Sequence, residues 1–83
     1  LRVAPQPDGS CVIAGSAPVR LLSRRLGWDL PTEGPRTLSG LIVEQLEAIP
    51  EAGVALDLAG RRVEVLQVAD NTVRTARVHG PPA

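Results

Sequence analysis

The chain has 83 residues, nine arginines and no lysine set against nine acidic residues, a formal net charge of zero, 43% apolar residues, one cysteine and one aromatic side chain. That is one small domain, of a size that buries roughly 60% of its unfolded surface on folding, and Cys11 has no intrachain partner for a disulfide. Neutral charge and a single Trp leave nucleic acid neither a basic stripe nor a stacking platform, and no apolar run approaches the roughly 18 residues that would cross a bilayer, so no nucleic-acid partner and no membrane insertion by this segment are expected.

Residues 1–5 alternate weakly, Gln6-Pro7-Asp8-Gly9 is turn chemistry, and residues 10–14 return as a β-rich run, which predicts a hairpin closed by Gly15. Ser16-Ala17-Pro18 reads as a helix entry, with Ser16 as the cap and Pro18 in the first turn. Val19, Leu22 and Leu26 then share a face, and Gly27 ends this helix. Residues 28–35 carry two prolines and a glycine, so they form a loop, with Trp28 and Leu30 apolar enough to pin it to the core. Thr37 is a good N-cap for a second helix whose stripe Leu38, Leu41, Ile42, Leu46, Ile49 runs to Pro50. Gly40 inside that stripe predicts the close approach of another backbone.

From Val54 the period changes to two, and Ala59-Gly60 turns the chain into Arg62-Val63-Glu64-Val65. Leu66 and Val68 break the alternation, consistent with a bulge or a strand covered on both faces. Asp70-Asn71 makes another turn, residues 72–78 the last strand, and residues 79–83 a frayed tail. The expected fold is α+β: order β-β-α-α-β-β-β, a small antiparallel sheet of four to five strands with two helices on one face. The absence of methionine and of a signal segment suggests a piece cut from a longer polypeptide.

Chemistry is sparse along this chain. His79, the only histidine, stands in the predicted tail and reads as exposed, while Cys11 lacks a basic neighbour and reads as a structural thiol. One Cys and one His make no zinc set, and the four aspartates and five glutamates follow no calcium-loop spacing, so no metal site and no cofactor are expected. Glu44 and Glu47 read as a solvated helix face. The pairs Arg24-Arg25 and Arg61-Arg62 are the only local charge concentrations, and guanidinium forks grip phosphate or carboxylate. For Arg61 and Arg62, cross-strand pairing with Asp57 competes with that use and is the simpler reading. No catalytic constellation is visible, so the chain is expected to bind or assemble and not to be an enzyme.

Asp8-Gly9-Ser10, Gly15 with Pro18, Leu22 and Leu26-Gly27, Asp29-Leu30-Pro31, Thr37-Leu38-Ser39-Gly40-Leu41, Ile49-Pro50 with Gly53, Gly60 and Val63-Glu64-Val65-Leu66 together resemble the transporter-associated domain of the CorC/HlyC family. The resemblance runs in order over nearly the whole chain. It departs at Cys11 and Val63, where the family commonly carries aromatic residues, which touches core packing. The resemblance implies a transporter-associated domain over residues 1–78, with 79–83 as a flexible tail. Such a domain is C-terminal and cytosolic, and follows a membrane domain and a CBS-domain pair in bacterial, hemolysin-related proteins of magnesium and cobalt efflux. Its fold is similar to half of a flavin-binding domain, and it has no assigned catalytic residues. The implied role is regulation of transport at the cytoplasmic face of the inner membrane. The expected contacts are the parent chain's CBS pair and membrane domain, or a second copy paired through the edges offered by residues 1–5 and 72–78. The alternative is a sensor of an adenine nucleotide or other small anion, with Arg24, Arg25, Arg61 and Arg62 as its candidates.

Overall fold

Turns with positive φ at both central residues set the frame of the sheet. Ala59 and Gly60 (φ 48° and 82°) and Asp70 and Asn71 (φ 54° and 60°) take the left-handed conformation that matches the twist of flanking antiparallel strands. The structure, a computed structural model, describes residues 3–80. Leu1 and Arg2 of the predicted first strand and residues 81–83 of the predicted tail lie outside the described residues.

The elements are β1 (Val3–Pro5), β2 (Cys11–Ala14), α1 (Val19–Leu26), α2 (Leu38–Leu46), β3 (Ala55–Leu58), β4 (Arg61–Ala69) and β5 (Thr72–Val78). They follow the expected order, and the five strands form one antiparallel sheet, β1-β2-β5-β4-β3. The predicted edge strand 72–78 is therefore the centre of the sheet, and β1 and β3 are its edges. A two-residue turn can hold β5 to β4 alone, and the returning N-terminal hairpin takes the free side of β5.

Strand alternation sends the two sheet faces to different fates. The rows Val3–Ile13–Ala76–Val65 and Pro5–Cys11–Val78–Val63–Leu56 lie on the face that packs under the helices. Val19, Leu22, Leu38, Leu41 and Ile42 complete that core from above. Trp28 and Leu30, 2% and 4% exposed, pin the loop to it as the sequence predicts. The break in alternation on β4 is a bulge and has a counterpart. Leu66 is an extra residue on β4 between the pairs Val65–Ala76 and Gln67–Thr75, and Arg74 is an extra residue on β5 before Val68–Val73. The two offsets cancel, so Val73 returns to the core face, fully buried.

The helix ends differ from the expectation. Ser16 does not cap α1; Pro18 is the N-cap residue, extended at φ −67° and ψ 132°, with no side-chain cap. The cause is a small ladder in which the Val19 N–H donates to the Arg36 carbonyl (2.8 Å) and the Leu38 N–H to the Ala17 carbonyl (3.0 Å), so the chain stays extended through Pro18. Thr37 caps α2 as predicted, its hydroxyl accepting from the Gly40 N–H at 3.2 Å. That helix stops at Leu46, with Glu47 left-handed at φ 57°, and Ile49 is 47% exposed instead of continuing the stripe. Ile49 precedes Pro50, whose ring disfavours helical backbone at the residue before it, so the helix unwinds early. The close neighbour of Gly40 is the Pro35 ring, which a Cβ would meet at 2.7 Å, and not a backbone. The close backbone approach is at Gly15, where the end of β2 lies against the Val73 carbonyl.

Candidate functional site

Because β4 alternates, Arg61 and Arg62 leave it on opposite faces. Arg61 reaches over the Trp28 ring, 5.6 Å from its centroid, and its Nη2 donates to the Leu26 carbonyl at 2.6 Å. That carbonyl belongs to the last turn of α1, which also carries the exposed Arg24 and Arg25. Unsatisfied carbonyls make a helix C-terminus favourable for cations, so three of the four candidate arginines gather at one corner of the fold. Arg62 does not join them; it lies exposed on the far face, opposite Asp57 in the strand register. The expected ion pairs of Arg61 and Arg62 with Asp57 do not form among the described residues. Arg61 is drawn to the helix end instead, while Arg62 and Asp57 point into solvent.

The far face of the sheet carries the row Ala4–Val12–Arg77–Glu64–Ala55, and no described helix covers it. At its centre His79 Nε2 and Glu64 Oε1 are 2.6 Å apart, with side chains 33% and 30% exposed. The His79 N–H also donates to the Arg62 carbonyl at 2.9 Å. His79 is thus half-buried and held by two bonds, which corrects its reading as an exposed tail residue: β5 pairing carries one residue past Val78 because β4 is long enough to receive it. Arg77 lies beside this pair, its Nε buried without a hydrogen-bond partner among the described residues. At the rim, Asp8 Oδ1 accepts from the Ser10 N–H (2.9 Å) and hydroxyl (2.6 Å).

Both carboxyls are held below their usual range. For Glu64 the His79 hydrogen bond is the main cause, helped by the charges of His79, Arg62 and Arg77 against a smaller opposing effect of burial. For Asp8 the main cause is the pair of Ser10 hydrogen bonds. A carboxyl depressed in the folded state contributes stability that is full above its unfolded pKa and is lost as pH falls through the folded value. Urea melts are therefore expected to show stability dropping as pH is lowered below about 4.5. The double variant Asp8→Asn, Glu64→Gln should flatten that drop. An equally steep profile in the variant would show that other carboxyls govern it.

Glu64, His79, Arg77 and Asp8 were not singled out as a group by the sequence. A signal was present: a two-residue turn at Asp70-Asn71 places Glu64 opposite Arg77, with His79 one further step along the same face. Cys11 lies on the helix-covered side, half-buried against the core. Among the described residues, no three His, Cys, Asp or Glu side chains are grouped to hold a metal ion, and no helix is long and apolar enough to cross a membrane.

The sequence matches the family model CorC_HlyC, described as transporter associated domain, over residues 4–81. It is 43% identical over 76 residues to a UPF0053 protein of Haemophilus influenzae, and 40% identical over 76 residues to the UPF0053 inner membrane protein YfjD of Escherichia coli. Each alignment takes in 92% of this chain and only 18% of the relative. The fold matches a crystal structure of a functionally unknown conserved protein from Haemophilus influenzae, with TM-score 0.92 and 40% identity, covering 96% of this chain and 99% of that one. That solved chain is therefore of about the same length as this one.

Proposed function

Because this chain belongs to the CorC_HlyC family of transporter-associated domains, we propose that it is a non-catalytic regulatory domain of a membrane ion transporter. In this reading it sits at the cytoplasmic face of a bacterial inner membrane and modulates magnesium or cobalt efflux through contacts with the rest of its polypeptide, a CBS-domain pair first among them. The single observation that carries the reading is the one-sided sheet. Helices bury one face, while the other presents Ala4, Val12 and Ala55 beside Arg62, Arg77 and the Glu64–His79 pair. Small apolar residues beside charges of both signs suit a partner surface that is itself mixed. The relatives leave room for such a partner in the same chain, since this domain spans 18% of their length.

The test is a titration of the isotope-labelled domain with the CBS pair of its parent, read by amide NMR. Shifts confined to residues of the open face, and lost in Val12→Asp, are the expected result. Silence across that face, together with unchanged ion efflux from the full-length transporter carrying Val12→Asp, would sink the reading.

A further inference from the structure

A second feature lies on the helix side, apart from the open sheet face, and stands or falls independently of the docking role. Between the start of α1 and the loop of residues 32–36 runs a groove of about 730 Å³, within the range of small-molecule sites. Arg20 lines it from the start of α1, and Thr32, Glu33 and Arg36 line it from the loop. The walls are tied to each other by the ladder already described, from Val19 to Arg36 and from Leu38 to Ala17, so the groove is built before any ligand arrives.

Its charge is out of place for folding alone. Arg20 stands in the first turn of α1, where a cation opposes the helix macrodipole, and no acidic residue in that turn offsets it. Neither Arg20 nor Arg36 forms an ion pair or a side-chain hydrogen bond among the described residues, although Glu33 lines the same groove. The contrast is Arg61, whose guanidinium is committed to a carbonyl and a ring. A local choice that works against its own helix, at the wall of a preformed groove, is the kind of conflict that marks function and not fold.

We propose that this groove binds a small phosphate-bearing ligand, with the Arg20 and Arg36 guanidiniums gripping the anionic group. Guanidinium forks match phosphate oxygens two at a time and their bonds are charge-assisted. Bound anion would also relieve the unfavourable position of Arg20. Thr32 and Glu33 supply a hydroxyl and a carboxylate for hydroxyl or amine groups on the same ligand, which separates a nucleoside diphosphate from inorganic pyrophosphate.

The experiment is amide NMR of the 83-residue domain with pyrophosphate, ADP and adenosine, followed through Arg20→Gln, Arg36→Gln and, as a control, Arg24→Gln. Saturable shifts at residues 18–22 and 32–37 with pyrophosphate or ADP, weakened about tenfold or more by either groove variant and unchanged by the control, are expected. Tighter binding of ADP than of pyrophosphate identifies the nucleoside as part of the ligand. Equal binding identifies the diphosphate alone. Silence to both at about 10 mM, shifts centred on Arg24, Arg25 and Arg61, or shifts that persist in both groove variants would each overturn the proposal. Thermal melts of the variants confirm that a lost shift is not a lost fold.

Discussion

Replacing Trp28 with Ala is expected to lower the stability of the domain by about 3–5 kcal/mol, the usual cost of truncating a buried aromatic. The indole is 2% exposed and is the largest of the fully buried side chains. Three consequences follow from its removal. The core loses the one Trp of a chain without Phe or Tyr, the Leu58 carbonyl loses the indole N–H that donates to it at 3.0 Å, and Arg61 loses the surface over which it reaches Leu26. For a chain this short the change corresponds to a fall in melting temperature of roughly 15–30 °C. Since a domain of this size holds about 4–12 kcal/mol in all, the loss takes a large share of its stability, and a domain at the bottom of that range would be partly unfolded at room temperature. Urea and thermal melts followed by far-UV circular dichroism decide it, and a loss below about 1 kcal/mol would mean that the loop of residues 28–35 repacks without the ring. Trp28→Phe separates volume from hydrogen bonding, and should retain most of the stability while leaving the Leu58 carbonyl unpaired.

Gly15→Ala should be comparably damaging for a different reason. A Cβ at this position would overlap the Val73 carbonyl oxygen, stand 2.7 Å from the carbonyl carbon and 3.3 Å from the Ser39 Cβ. Backbone cannot swing aside as a side-chain tip can. The end of β2 would have to leave β5, and three bonds converge there. The Gly15 N–H donates to the Arg74 carbonyl (2.8 Å), the Ser39 N–H to the Gly15 carbonyl (2.8 Å), and the Val73 N–H to the buried Ser39 hydroxyl (3.0 Å). The expected loss is about 3 kcal/mol or more, at the upper end for overpacking one methyl. Gly80→Ala, where a Cβ would meet nothing within 4 Å, is the matched control and should change stability by no more than about 0.5 kcal/mol. Equal behaviour of the two variants would refute the assignment of Gly15 as the point of contact between sheet and second helix.

The features legible in the sequence were those written in local chemistry. Thr37 announced its helix, Ala59-Gly60 and Asp70-Asn71 announced their turns, and the broken alternation at Leu66 narrowed β4 to a bulge or a strand covered on both faces, of which the bulge is the one found. What was not legible depends on parts of the chain far apart in sequence. That β5 would be central follows from the N-terminal hairpin seeking it out across the length of the chain, and nothing within residues 72–78 says so. The extended conformation of Pro18 is imposed by Arg36 and Leu38, and the true close approach at Gly15 is made by a strand some 58 residues later in the chain, at Val73. The same holds for the site residues. Arg24, Arg25 and Arg61 were visible as charges, yet only packing shows that Arg61 is spent on the end of α1 and that Arg62 faces away. Arg20 and Arg36 were passed over because each is single in the sequence; the ladder between residues 17–19 and 36–38 makes them a pair.

The strand order has a consequence for how such a domain comes into being on the ribosome. The last strand of the segment is the one on which both halves depend: among the described residues β2 pairs with nothing but β1 and β5, and β4 with nothing but β3 and β5. Until residues 72–78 have been translated and have cleared the exit tunnel, the nascent chain holds two hairpins with no common sheet and a helical layer with little to cover. An isolated hairpin is marginal in water, so folding is deferred to the end of synthesis of this segment and then proceeds in one cooperative step. A message truncated before Thr72 would therefore yield no half-domain, only two marginal hairpins and a helical layer with little to cover.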